Sequence, residues 1–174
     1  MKPEVLIYSQ KITNRLRYIA QLVLGDLLGI KIRITDDVQE YQKHDGARIC
    51  YHNQQLAEGS ELIIVPCGLL AEKGINSHQL KFIDFEGSKA FFPVYSRLSP
   101  LPFDLFAAAF YMVSRYEEYL PYIRDEHGRI APASCIAYQH GFLKVAVVNR
   151  WALSLKNLLA GIYPDLKFRS AVFR

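Results

Sequence analysis

Near the N-terminus, Ser9-Gln10-Lys11-Ile12-Thr13-Asn14-Arg15 gathers hydroxyl, amide, ammonium and guanidinium groups in one short stretch. It follows an apolar run at residues 5–8 and precedes a helical pattern, so it falls where the carboxyl end of a strand meets a helix N-terminus. Free backbone N–H groups and the helix dipole there favour an anionic or sugar ligand, held by Ser9, Thr13, Asn14 and Arg15. The same residues can instead be structural, with Thr13 or Asn14 capping the helix and Lys11 and Arg15 in water. A second cluster, Ser114-Arg115-Tyr116-Glu117-Glu118-Tyr119, sets two carboxylates beside a cation. Adjacent residues on an α-helix point about 100° apart, so Glu117 and Glu118 do not converge on one substrate. Arg115 and Glu118 are one turn apart and can pair. The third cluster, Asp125-x-His127-Gly128-Arg129, holds an acid, an imidazole and a guanidinium, and its Asp and Gly are also what a tight turn requires. A polar network through Asp104, Arg115, Glu117, Glu118, Asp125, His127 and Arg129 is the expectation, internal to the domain or at a domain boundary. If its ion pair is buried, Arg115→Ala should cost a few kcal/mol, on the order of 3.

The elements that must position these residues read as α/β. Residues 5–8 form a continuous apolar run, the pattern of a strand buried on both faces and hence central in a sheet. Leu16, Ile19, Val23, Leu24 and Leu27 then recur at helical spacing as far as Gly29. Residues 30–34 alternate, which predicts a strand near the sheet edge. A short helix capped by Asp36 or Asp37, strands at 47–51 and 61–65, and a hairpin of 82–85 with 90–92 across residues 86–89 follow. Pro102 and Asp104 start a helix over 105–120 so apolar that it must be buried on most of its surface, and Pro121 stops it. A short helix at 134–140 and one capped by Asn149, with Trp151, Leu155, Leu158 and Leu159 on one side, complete the pattern. The fold class is therefore a single α/β domain, with a central mixed or mostly parallel sheet flanked by helices and a buried apolar helix near 104–120. The aromatics Phe103, Phe106, Phe110, Tyr111, Tyr116 and Tyr119 could form a sugar-stacking platform, but their helical spacing favours core.

Composition limits the functional classes. The chain has 174 residues, 51% hydrophobic and 22% charged, with a net charge of +4, which suits one core-forming domain and not a nucleic-acid binder. Three separated cysteines without C-x-x-C spacing predict neither disulfides nor a zinc knuckle, and the five histidines have no partner at one-turn spacing. No catalytic residue and no cofactor are expected in this chain. There is no phosphate-binding glycine loop, no H-E-x-x-H and no G-x-S-x-G. No run reaches the ~20 apolar residues of a membrane span, and no signal-peptide core is legible, which predicts a cytoplasmic protein with no membrane partner.

Residues 7–9 and 11–15, Pro102-Phe103-Asp104, the run from Ala108 to Leu120, Asp125-x-His127-Gly128-Arg129 and Val147-Val148-Asn149-x-Trp151 together resemble the uncharacterised N-terminal domain of bacterial polysaccharide deacetylase-like proteins. The resemblance spans nearly the whole chain. It implies an accessory domain at residues 1–165, a linker starting at 166–174, and a following catalytic domain of the NodB-homology type, a metal-dependent (β/α) barrel that deacetylates N-acetylated sugars. Neither its Thr-Phe/Tyr-Asp strand end nor its two histidines four residues apart occurs here. The resemblance thus puts the divalent metal, such as zinc, beyond Arg174. The partners it implies are that catalytic domain and carbohydrate; a homodimer is a further alternative.

Overall fold

A computed structural model describes residues 4–121, 126–128 and 131–169. Asp125 and Arg129, and the end of the tail after residue 169, lie outside the described residues.

Strand β1 (Glu4–Tyr8) is central, as its unbroken apolar run predicts: Val5, Leu6 and Ile7 are fully buried. It pairs in parallel with β2 (Lys31–Thr35) on one side and with β3 (Ala47–Cys50) on the other, and β3 pairs with the short β4 (Leu62–Ile63), giving the parallel order β2-β1-β3-β4. The alternating β2 takes the edge, where only one side needs to be covered. Connecting β1 to β2 is α1 (Asn14–Ala20), whose cap is Thr13, with its hydroxyl accepting from the Leu16 N–H at 3.2 Å. The helix then widens into π-form over Gln21–Leu27. This differs from the uniform helix expected. Gln21 folds over the bare Cα of Gly25 to donate to Asp26 at 3.0 Å, and the wider turns bury Leu28 in place of Leu27. Gly29 ends it at φ 66°, and a side chain there would meet the Arg169 Cβ at 2.6 Å, so glycine is required both for backbone conformation and for space.

The two faces of the sheet carry unequal cores. Leu6, Tyr8, Cys50 and Ile63 meet Tyr41 of α2 (Val38–Lys43) on the smaller side. Val5, Ile7 and Ile49 point into the larger core, which contains α1, α3 (Leu105–Val113), α5 (Val147–Ile162) and the hairpin β5 (Phe82–Phe85) and β6 (Ser88–Phe91). The hairpin turn is tighter than expected. Glu86 and Gly87, at φ 47° and 72°, make a two-residue turn, so Ser88 and Lys89 join the strand. The short helix α4 is Ile136–Gln139. Helix α5 begins at Val147 and not after Asn149, because the first intrahelical bond runs from the Arg150 N–H to the Ala146 carbonyl. Its predicted face holds: Trp151, Leu155 and Leu159 are buried.

Helix α3 is apolar all round and buried over residues 105–109, but it ends at Val113, seven residues before the expected stop at Leu120. Ser114 turns its hydroxyl back to the Phe110 carbonyl at 2.7 Å, Arg115 adopts a left-handed conformation at φ 52°, and Tyr116–Tyr119 continues as a 3-10 turn. Arg115 therefore occupies the position after a helix where glycine is favoured. Its ion pair with Glu118 forms, yet the Arg115 side chain is 72% exposed, so the pair is solvated and the buried-pair expectation is corrected. Arg115→Ala should change stability by less than about 0.5 kcal/mol, whereas Arg115→Gly should raise it by about 0.5–1 kcal/mol through relief of the left-handed backbone. Urea melts of the two variants check both.

Candidate functional site

Parallel strands place their carboxyl ends along one edge. Where the chain moves from β1 outward to β2 on one side and returns to β3 on the other, the connections diverge and leave a crevice, the usual ligand position in open α/β sheets. A cavity of about 350 Å³ lies there. Ser9, Gln10 and Lys11 line it from the end of β1, Tyr51 and His52 from the end of β3, and the loop after β4 closes it with Pro66, Cys67 and Leu70.

Of the predicted ligand residues, Ser9 lines this cavity and Thr13, Asn14 and Arg15 do not. Ser9 is buried and donates to the Lys11 carbonyl at 3.1 Å. The Thr13 hydroxyl donates to the Leu70 carbonyl at 2.6 Å while capping α1. Arg15 donates to the Leu69 carbonyl at 2.9 Å and to the Gly74 carbonyl, and its guanidinium lies 5.5 Å and 5.7 Å from the Phe110 and Tyr116 ring centroids. These two side chains fasten the loop after β4 to the start of α1. Lys11 adds a third tie, with its ammonium donating to the Ala71 carbonyl at 2.5 Å. Asn14 is exposed in the first turn of α1.

Behind the cavity wall, Asp104 is fully buried. One carboxylate oxygen accepts from the Ala107 N–H at 3.0 Å, capping α3, and the other accepts from the Tyr51 hydroxyl at 2.7 Å and the Cys67 N–H at 2.8 Å. One side chain thus joins the start of α3, the end of β3 and the loop after β4. Burial raises its pKa above the usual carboxylate value, and the three donors draw it back only in part. The same burial, reinforced by the charge of Asp104, pushes the Tyr51 hydroxyl well up, and the Cys67 thiol beside Asp104 is raised in the same direction. His52 accepts from the Gln54 N–H at 3.2 Å through Nδ1, which leaves Nε2 as its remaining polar atom.

The other predicted cluster is divided. Glu117 accepts from the Ile136 N–H at 2.9 Å and so serves the N-terminus of α4, while Glu118 pairs with Arg115. The imidazole of His127 is exposed and lies 3.4 Å from Glu126. The structure therefore brings Asp104 to a buried junction, Glu117 to a helix end and His127 to the surface. Among the described residues no group of three or more His, Cys, Asp or Glu could hold a metal ion, and no helix is long and apolar enough to cross a membrane. Residues 166–169 lie against the domain: Leu166 is buried and the Phe168 ring receives the Lys156 ammonium at 5.4 Å.

Reading the sequence alone missed Tyr51, His52 and Cys67. The available signal was the parallel order itself: once β1, β3 and β4 lie side by side, the residues just past each strand must meet.

No curated protein and no solved structure matches this chain. A family model matches residues 5–164, and the chain belongs to that family, described as a family of unknown function (DUF7033).

Proposed function

We propose that this chain is an accessory, non-catalytic domain of a polysaccharide deacetylase-like protein, one that scaffolds a catalytic domain or positions its carbohydrate. The observation that carries this reading is how the residues behind the resemblance are used. Thr13, Arg15, Asp104 and Glu117 all bond backbone groups of distant segments and so build the domain itself. In this reading the divalent metal and its ligands belong to a domain following this chain.

The test is the intact mass of the native gene product and the sequence after Arg174, followed by acetate release from an N-acetylated amino-sugar polymer. A product larger than 20.0 kDa, with a Thr-Phe/Tyr-Asp strand end and a His-x-x-x-His helix downstream, is expected. Acetate release by the full product and none by this chain alone should accompany it. A native product ending at Arg174, or acetate release by this chain alone, would overturn the proposal.

A further inference from the structure

Independently of that reading, the cavity at the carboxyl edge of the sheet has a chemical bias of its own. Its polar lining residues are Lys11, His52, Gln10, Ser9, Cys67 and Tyr51, whose hydroxyl donates to Asp104, and among the described residues no Asp or Glu lines it. The remaining wall, from Pro66, Leu70 and Ala71, is apolar. Lys11 spends one of its three donors on the Ala71 carbonyl, so its charge stays fixed at the cavity rim with two donors to spare. The Nε2 of His52 carries the ring proton when Nδ1 accepts from Gln54 and the imidazole is neutral, which makes it a second donor. At about 350 Å³ the space is at the small end of the range for small-molecule sites.

We propose that this cavity binds a small organic anion, with its carboxylate or phosphate head at Lys11 and His52 and its apolar body on Pro66, Leu70 and Ala71. Asp104 does not line the cavity; Tyr51 and the Cys67 backbone hold it behind the wall. An ammonium supplies the attraction as a point charge, so no single planar fork is demanded of the head group.

The experiment is a two-dimensional amide NMR titration of the 15N-labelled full chain with three probes sharing an aromatic body: benzoate, phenyl phosphate and benzyl alcohol. Saturable shifts at residues 9–11, 51–52 and 67–71 are expected with at least one anion, and whichever of the two binds more tightly identifies the head group. Benzyl alcohol should bind at least about tenfold more weakly, as should the preferred anion to Lys11→Met, a difference of about 1.4 kcal/mol. Lys11→Arg keeps both the charge and the tie to Ala71 and should restore binding. Saturable shifts with neither anion, shifts confined to other residues, equal binding of the alcohol, or binding unchanged in Lys11→Met would each overturn the proposal. Lys11 is exposed, so its variants test binding in a folded chain.

Discussion

Asp104→Ala is expected to lower the unfolding free energy by about 4 kcal/mol, because the Tyr51 hydroxyl, the Cys67 N–H and the Ala107 N–H lose their acceptor together. In a domain of this size that loss corresponds to a fall in melting temperature of roughly 8–16 °C. Every one of these donors is held by a different segment, so no neighbouring group can be recruited to replace the carboxylate without a backbone shift. Asp104→Asn should be milder, since its carbonyl can still cap α3. It also separates the hydrogen bonding of Asp104 from its charge. The folded pKa lies above the unfolded value of 3.8, so the stability it contributes is fully present below that value and is lost as pH rises through the folded pKa. The advantage of the native protein over Asp104→Asn should therefore shrink between acid and neutral pH. Urea melts of both proteins across that window measure it, and an advantage that grows with pH would show that the buried carboxylate is stabilised as an anion.

Trp151→Ala should cost about 4 kcal/mol, the upper part of the range for removing a large aromatic from a core. Trp151 is 1% exposed, and its ring packs at 5.8 Å and 5.4 Å from the rings of Phe91 and Phe103, joining α5 to the hairpin and to the residue before Asp104. Its indole N–H is buried and has no hydrogen-bond partner among the described residues. An unpartnered buried donor carries a desolvation penalty, so Trp151→Phe removes favourable contact area and an unfavourable polar group at once. That variant should lose only about 1–2 kcal/mol. Equal losses for the two variants in calorimetry would mean that the indole N–H has a partner in solution.

The sheet was legible because burial dictates it. A strand covered on both faces must be apolar at every position, and residues 5–8 are; an edge strand alternates, and residues 30–34 do. The interruption of α3 was hidden for the opposite reason. Nothing in Ser114-Arg115-Tyr116 forbids helix, and the stop depends on a left-handed Arg115 that only tertiary packing of Tyr116, buried against Tyr111, selects. The cavity was half legible: the end of β1 pointed to Ser9, but the attraction of Thr13 and Arg15 to the loop after β4 is a contact between residues more than fifty positions apart. Local sequence carries no information about such pairs. Asp104 is legible locally as the start of α3, while its tie to Tyr51 and Cys67 arises from the same long-range closure.

The close passage of Arg169 over Gly29 gives the domain a polarity. Gly29 stands just before β2, which begins in register with Glu4 of β1. The first and last described residues thus share the pole where the parallel strands begin, and the cavity opens at the pole where they end, roughly 15 Å away across a five-residue strand. A group attached at residue 4 or residue 169 would start at the pole opposite the crevice. By the same geometry, residue 169 sits on the far side of the sheet from any molecule held there.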